Sequence, residues 1–355
     1  MKNRYFNPHK KHHRPDGFQN TYQSFAGKRW HEIMRWRWQA WRAGHPRPIS
    51  EPIGVVAPDL SFIQANAAAG KDMQVAMTWI GHITVLAQMG GLNILTDPVF
   101  SDRCFPVQWA GPKRQTPPGL TLEQLPPIDV VLLSHNHYDH MDEASLLALS
   151  KQASGCPLFI TPLGHQHWFA RRGIHRVIEL DWWDTHVLEA TARSARIPVT
   201  LTPAQHWSAR TATDALRSLW GGFAVLSPDC HLFFAGDTAY SKDFVDIRRH
   251  FAREQTPELG GGFDIALLPI GAYEPRWFMK DQHVNPAESV QIFKDIGCKQ
   301  ALAVHWGTFQ LTDEALDEPP RALASARQAA GLTEAEFFTL AIGQTQPLPC
   351  RAPAC

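Results

Sequence analysis

The sequence predicts an α+β fold in which two β-sheets pack face to face with helices on the outside. Two patterns predict it. From about residue 71 short β-type runs follow one another between Gly and Pro punctuation, and further on such runs alternate with stretches of helical periodicity. Composition agrees, since 44% of the 355 residues are hydrophobic and only 19% charged, enough apolar material for one large core or two modest ones.

Taken in order, the chain opens with an arm and connector over residues 1–70 that differ from the domain expected over 71–355. From Lys2 to Arg47 the arm carries many Lys and Arg but only Asp16 and Glu32 as acids. A helix is expected over 24–42, closed by Gly44 and Pro46. Within it Trp30, Ile33, Met34 and Trp41 recur at three- and four-residue spacing beside Trp38, with Arg29, Arg35, Arg37 and Arg42 interleaved. Arg37 falls inside the apolar face. Pro46, Pro48, Pro52 and Pro58 then mark an extended connector.

Strands are expected at 73–80, 83–88 and 92–95, turning at Gly81 and Gly90-Gly91. Further strand-like runs lie at 130–133, 158–161, 177–180, 199–202, 223–226, 232–235, 265–270 and 301–304. Helical patterns cover 142–152, 163–172, 244–251, 286–296 and 319–330. In the first of these, Leu146, Leu147 and Leu149 form an apolar face expected to meet the core. The sequence displays no internal repeat.

Charge and targeting signals exclude several classes. A formal net charge of zero argues against a nucleic-acid binder that relies on bulk positive charge. No apolar run approaches the roughly 18–20 residues that span a bilayer. The first residues lack the apolar stretch of a secretory leader, so a cytoplasmic protein, peripherally membrane-associated at most, is expected. Six dispersed cysteines without a C-x-x-C pair are expected as free thiols.

The chemistry concentrates in Ser134-His135-Asn136-His137-Tyr138-Asp139-His140. Residues 130–133 form an apolar run that empties into this segment. On extended backbone alternate side chains point the same way, so His135 and His137 can share one metal ion. Asp139 and His140 follow at the turn toward the next helix and can address a second. Imidazole and carboxylate suit zinc, with iron or manganese as alternatives. His206 in Pro203-Ala204-Gln205-His206-Trp207, Asp237 in Ala235-Gly236-Asp237-Thr238 and His305 in Val304-His305-Trp306-Gly307 each follow a predicted strand. A ligand-type residue at a strand end is where loops converge on a site.

These motifs resemble those of the metallo-β-lactamase superfamily, which shares the His-x-His-x-Asp-His signature. The wider context is similar to the N-acyl-phosphatidylethanolamine-hydrolysing phospholipase D family, over roughly residues 75–320. The stretches that carry this likeness include Trp79-Ile80-Gly81-His82, Thr96-Asp97-Pro98, Gly111-Pro112-Lys113-Arg114, Glu179-Leu180-Asp181-Trp182-Trp183 and the long run from Pro269 to Met279. The resemblance implies a four-layer αββα sandwich with a basic, Trp-rich N-terminal arm.

It also implies two Zn2+ per chain, one on His135, His137 and His206, the other on Asp139, His140 and His305, with Asp237 bridging. Asp97 matches a buried aspartate that orients the histidine loop. The implied activity is hydrolysis of N-acyl-phosphatidylethanolamine to N-acylethanolamine and phosphatidic acid, by attack of hydroxide held between the ions. Asp139 is expected to orient that hydroxide. Gln282 and His283 are expected to contact substrate, His283 also as a candidate proton donor, and Tyr138 and Tyr273 could line the site. Partners would be the phospholipid and, through residues 27–42, the membrane surface; a homodimer is implied by likeness and nucleic acid is not. Two rival readings stay open: a zinc hydrolase of the same fold acting on a lactone or a soluble cyclic or nucleotide phosphodiester, and a non-catalytic metal-binding scaffold.

Overall fold

The computed structural model describes residues 3–25 and 27–351. The arm opens with a two-stranded hairpin, β1 (His13–Arg14) and β2 (Gly17–Phe18), followed by helices α1 (Trp30–Ala43) and α2 (Leu60–Ala68). The chain then builds one sheet from β3 (Ala76–Gly81), β4 (Thr84–Met89), β5 (Leu92–Thr96), β6 (Val130–Leu132), β7 (Leu158–Pro162) and β8 (Val177–Leu180). The second sheet follows with β9 (Thr185–Leu188), β10 (Ile197–Thr202), β11 (Gly222–Ser227), β12 (Cys230–Phe234), β13 (Ile265–Pro269), β14 (Gln300–Val304) and β15 (Phe337–Phe338). A last strand, β16 (Thr345–Pro347), returns to edge the first sheet beside β3.

The strand orders are β16-β3-β4-β5-β6-β7-β8 and β9-β10-β11-β12-β13-β14-β15. Both sheets follow one plan: the first four strands pair antiparallel and the last four pair parallel. The parallel halves need crossovers, and helices supply them. Helices α3 (Glu143–Leu149) and α4 (Gln166–Ala170) lie between β6 and β8, whereas α5 (Asp243–His250), α6 (Arg276–Met279), α7 (Pro286–Asp295) and α8 (Glu318–Ala330) serve the second sheet.

Alternation along a strand explains the layers. Val130 and Leu132 face the main core, which they share with Met77, Val85 and Ile94 of their own sheet and with Leu201, Val225, Leu232 and Leu267 of the other. Val131 and Leu133 point the opposite way, into a second cluster with Ile63 of α2, Leu146 and Leu149 of α3 and Phe169 of α4. Strands covered on both faces are apolar at nearly every position, and β4 and β13 are buried throughout. At the β4–β5 turn, a Cβ on Gly91 would lie 2.0 Å from the carbonyl oxygen of Arg193, so only glycine permits the approach there. The leucines of the 142–152 pattern meet the core as expected, Leu146 and Leu149 fully and Leu147 in part.

Some elements differ from the sequence reading. The helix expected from residue 24 begins at Trp30: residues 20–25 have no helical structure, with Asn20 and Phe25 buried on either side of an exposed stretch, and Gly27 sits at φ +80°. α2 was not anticipated in a segment whose prolines read as connector; it starts after Pro58, where Asp59 caps it by accepting from the N–H of Phe62 at 3.0 Å. The hairpin β1–β2 and strands β9, β15 and β16 were also unanticipated. Elements of two to four residues carry too little alternation to register alone and form because a neighbour offers paired backbone groups. Cys104, Cys156, Cys230, Cys298 and Cys350 are free thiols.

Candidate metal centre

The expected ligand residues sit at one end of the two sheets, each where a strand stops. His135 to His140 leave β6, His206 follows β10, Asp237 follows β12 and His305 follows β14. First-sheet and second-sheet residues therefore meet across the sandwich. Two groups of donor atoms result, each with all atoms within 4.8 Å of one another: His135, His137, His206 and Asp237, and His82, Asp139, His140 and His305. Asp237 joins them. Its Oδ2 lies 3.7 Å from His206 Nε2 and 3.1 Å from His140 Nε2, while its Oδ1 lies 3.2 Å from His305 Nε2.

Hydrogen bonds behind the cluster fix which nitrogen His135, His140 and His206 turn inward. His140 Nδ1 is 2.7 Å from Asp97 Oδ2, so that nitrogen donates to the carboxylate and Nε2 is the one turned to the site. His206 Nδ1 likewise donates to the carbonyl of Gln282 at 2.8 Å. Ser134 Oγ donates to Asp97 and accepts from His135 Nδ1 at 2.9 Å. Asp97 also accepts from the N–H of Ser134 at 2.7 Å, so one buried carboxylate sets both the loop and two rings. Of six non-glycine residues at positive φ among the described residues, three belong here: His82 at 52°, Asp97 at 29° and His305 at 63°. Such strain persists only where surrounding contacts over-determine the backbone.

Electrostatics favour a cation. Burial drives His135 well below the ordinary imidazole value, His137 to about 3 and His206 to about 4, so the rings are neutral ligands. Burial alone would raise Asp139, yet His140 holds it well below the carboxylate range; Asp237 behaves alike, with His140 and His305 acting against burial. Burial would lower His140, and Asp237 and Asp139 instead hold it well above its ordinary value. The inward nitrogens of His135 and His137 are 2.8 Å apart, and those of His137 and His206 3.3 Å. His135 and His206 have their protons committed elsewhere and turn lone pairs inward, and the single proton of His137 can serve only one of them at a time. A divalent cation between them satisfies those lone pairs, so the donor set fits the implied metal.

The remaining expected residues occupy different places. His283 stands over the cluster, half-buried, with Nδ1 3.8 Å from Asp237 Oδ2 and its ring 5.2 Å from that of His206. Gln282 is buried, and its amide nitrogen lies 3.3 Å from the Met279 sulfur while its carbonyl serves His206. Tyr138 is capped by the guanidinium of Arg210 at 4.2 Å and donates its hydroxyl to the Arg210 carbonyl. Tyr273 is buried and donates to Glu318 on α8 at 3.0 Å. Arg276 forms a two-pronged pair with Glu288 at 2.8 and 3.0 Å, and the Glu274 carboxylate accepts from the Arg276 N–H at 2.9 Å.

Sequence reasoning gave His82 no role, although Trp79-Ile80-Gly81-His82 was among the stretches singled out. It lies in the β3–β4 turn with Nε2 3.1 Å from Asp139 Oδ2, and its carbonyl accepts from the N–H of His305 at 2.8 Å. A histidine in a tight turn between two strands was the available signal. Asn20 was missed with no local signal at all; it contacts His206 from the far end of the chain.

Comparison with known proteins agrees with this geometry. The description "Beta-lactamase superfamily domain" matches residues 92–306. N-acyl-phosphatidylethanolamine-hydrolyzing phospholipase D 1 of Caenorhabditis elegans is 37% identical over 276 residues, covering 75% of this chain and 74% of that protein. The mitochondrial N-acyl-phosphatidylethanolamine-hydrolyzing phospholipase D of Saccharomyces cerevisiae is 39% identical over 279 residues, covering 78% of this chain but only 57% of the yeast protein. Among solved structures, the isothiocyanate hydrolase from Delia radicum gut bacteria shares the fold, with a TM-score of 0.59 and 20% identity over 77% of this chain and 99% of that one. A sandwich with this strand order, a ligand set at its strand ends and relatives of this similarity place the protein: the chain belongs to the metallo-β-lactamase superfamily.

Proposed function

We propose that the chain is a dinuclear metal-dependent phospholipase D that hydrolyses N-acyl-phosphatidylethanolamine to N-acylethanolamine and phosphatidic acid, with zinc the preferred metal and iron or manganese tolerated. The observation that carries the reading is the pair of donor sets sharing Asp237, in a chain 37% and 39% identical to proteins named for that reaction. His135, His137 and His206 would hold one ion, Asp139, His140 and His305 the other, with Asp237 between. Such a pair of ions, when bound, lowers the pKa of a shared water and offsets charge on the phosphoryl oxygens.

The chain's own groups do the rest. Asp139 keeps one oxygen within 3.4 Å of both His140 and His305, and it orients the attacking oxygen. His283, at the rim of the cluster, contacts the phosphate through a ring nitrogen and passes a proton to the departing alkoxide. Gln282 fixes the loop that carries it.

Helix α1 supports a bilayer substrate. Its inward side docks through Trp36, which donates to Asp313 at 2.9 Å and stacks on Phe278, and through buried Ala40. Its outward side leaves Trp30 77%, Met34 60%, Trp38 53% and Trp41 78% exposed, with Arg35, Arg37 and Arg42 around them. Indoles favour the interfacial layer and guanidinium groups favour anionic headgroups, so this face suits peripheral contact with a membrane. Among the described residues no helix is long and apolar enough to cross one. A homodimer belongs to this reading, and the mass in solution tests it.

The central test is turnover of N-acyl-phosphatidylethanolamine in mixed micelles by wild type and Asp139→Asn, with metal content measured for both. Wild type should carry two ions and release N-acylethanolamine, and the variant should lose at least a hundredfold in rate. Turnover confined to lactones or water-soluble diesters defeats the lipid assignment. Fewer than two ions per chain with no turnover would favour a scaffold.

A further inference from the structure

The N-terminal arm is clamped to the sandwich by a carboxylate that the metal centre does not use. Lys10 Nζ, His12 Nε2 and His13 Nε2 meet the two oxygens of Asp181 at 2.6, 2.7 and 2.8 Å. Tyr5 donates its hydroxyl to Glu179 at 2.7 Å. Glu179 and Asp181 belong to the stretch Glu179-Leu180-Asp181-Trp182-Trp183 that the sequence singled out, and holding the arm accounts for both acids. A lysine already seated on the carboxylate argues against a cation there, so the cluster reads as a clamp.

From the clamp the arm runs to the metal centre. Phe18 is fully buried and its N–H donates to the carbonyl of Leu216 at 2.8 Å. Two residues on, Asn20 Nδ2 donates to the carbonyl of His206 at 2.9 Å, and Asn20 Oδ1 accepts from the N–H of His206 at 3.1 Å. The same oxygen accepts from Trp220 Nε1 at 3.0 Å. One side-chain amide thus pairs with both main-chain groups of a single residue, as a neighbouring strand would. Gln205 extends the contact by donating to the carbonyl of Gln23 at 3.2 Å. The ring of His206 is oriented by Gln282 and its backbone by the arm.

We infer that Asn20 is a positioning residue for His206, and that docking of residues 3–25 is coupled to ion binding at the His135, His137 and His206 set. The inference rests on the ion-binding reading above. A ligand whose backbone is held needs no reordering when the ion arrives, so releasing the arm weakens that one step. Coupling between two equilibria is reciprocal, so the ion in turn holds the arm.

The test titrates Zn2+ into metal-free full-length chain against a chromophoric chelator, for wild type, Asn20→Ala, Asn20→Asp and Asp181→Asn. Asn20→Ala should weaken one of two binding steps by about tenfold and leave the other within about twofold, in the range known for residues that orient metal ligands. Asn20→Asp keeps the acceptor contacts but sets a carboxylate oxygen against the His206 carbonyl, so it should weaken that same step at least as much as Asn20→Ala. Asp181→Asn, which loosens the arm without touching His206, should weaken the same step. In wild type, Zn2+ should slow tryptic cleavage after Lys11 severalfold, a readout that needs no variant to fold. Two bound ions with cleavage unaffected by Zn2+, or both steps weakened equally, would overturn the coupling alone. A chain that takes up no ion overturns the ion-binding reading and this inference together.

Discussion

Asp97 reaches Ser134 twice and His140 once from a fully buried position, so its side chain decides how the metal loop is presented. Burial pushes its own pKa up, against the opposing pull of His140 and Ser134. Asp97→Asn should lower affinity for the ion served by His140 by about 10–100-fold. It should also cost about 1–3 kcal/mol of stability through the altered buried hydrogen bonds. Metal-to-protein ratios and a thermal melt check both; a variant with full metal content and an unshifted melt would show that the loop holds itself. At this scale the sequence was informative where chemistry is local. The spacing of His135, His137, Asp139 and His140 announced itself, and Asp97 stood before a proline at a strand end. His82 and Asn20 did not stand out, because a lone histidine or asparagine takes its meaning from the partner the fold brings to it, here Asp139 and His206.

The arm shows what an element can do that its residues taken singly do not suggest. Membrane contact was expected of residues 27–42, and the basic residues ahead of them do other work: Lys10 is seated on Asp181. Burial would raise Asp181, but hydrogen bonds from His12 and Lys10 hold it well below the usual carboxylate range. A depressed carboxylate contributes stability that is present above its unfolded value, near about 3.9, and lost as pH falls toward its folded value. Asp181→Asn should therefore lower the urea midpoint at neutral pH by an amount that shrinks below about pH 4. A gap that instead widens below about pH 4 would refute the clamp. Helix α1 divides its work between faces: Trp36 and Ala40 dock while Trp30, Met34, Trp38 and Trp41 stay out. Replacing Trp30 and Trp41 by Ser should reduce sedimentation with anionic vesicles by at least fivefold and leave the thermal melt within about 2 °C, since surface changes away from packed contacts cost little. Equal vesicle binding by both proteins would remove α1 from the membrane argument.

The whole molecule joins two sheets through one cluster. His82 and residues 135–140 come from the first sheet, and His206, Asp237 and His305 from the second, so bound ions would staple the sandwich across its seam. Ions at a thousandfold excess over their Kd stabilise the folded state by about 4 kcal/mol. Chelation should accordingly lower the melting temperature by roughly 5 °C, and added Zn2+ should restore it. A melt indifferent to chelator would mean that the donors do not bind ions in the folded chain. Short apolar runs, Gly and Pro punctuation and the strand-end ligands wrote the sandwich and its metal loop into the sequence, because those signals depend on neighbours along the chain. The order in which β16 returns to β3, the pairing of β9 and β15, the seat of His82 beside Asp139 and the grip of Asn20 on His206 were settled only by folding. Each of these joins residues that neither periodicity nor spacing relates, and packing alone can select the partner.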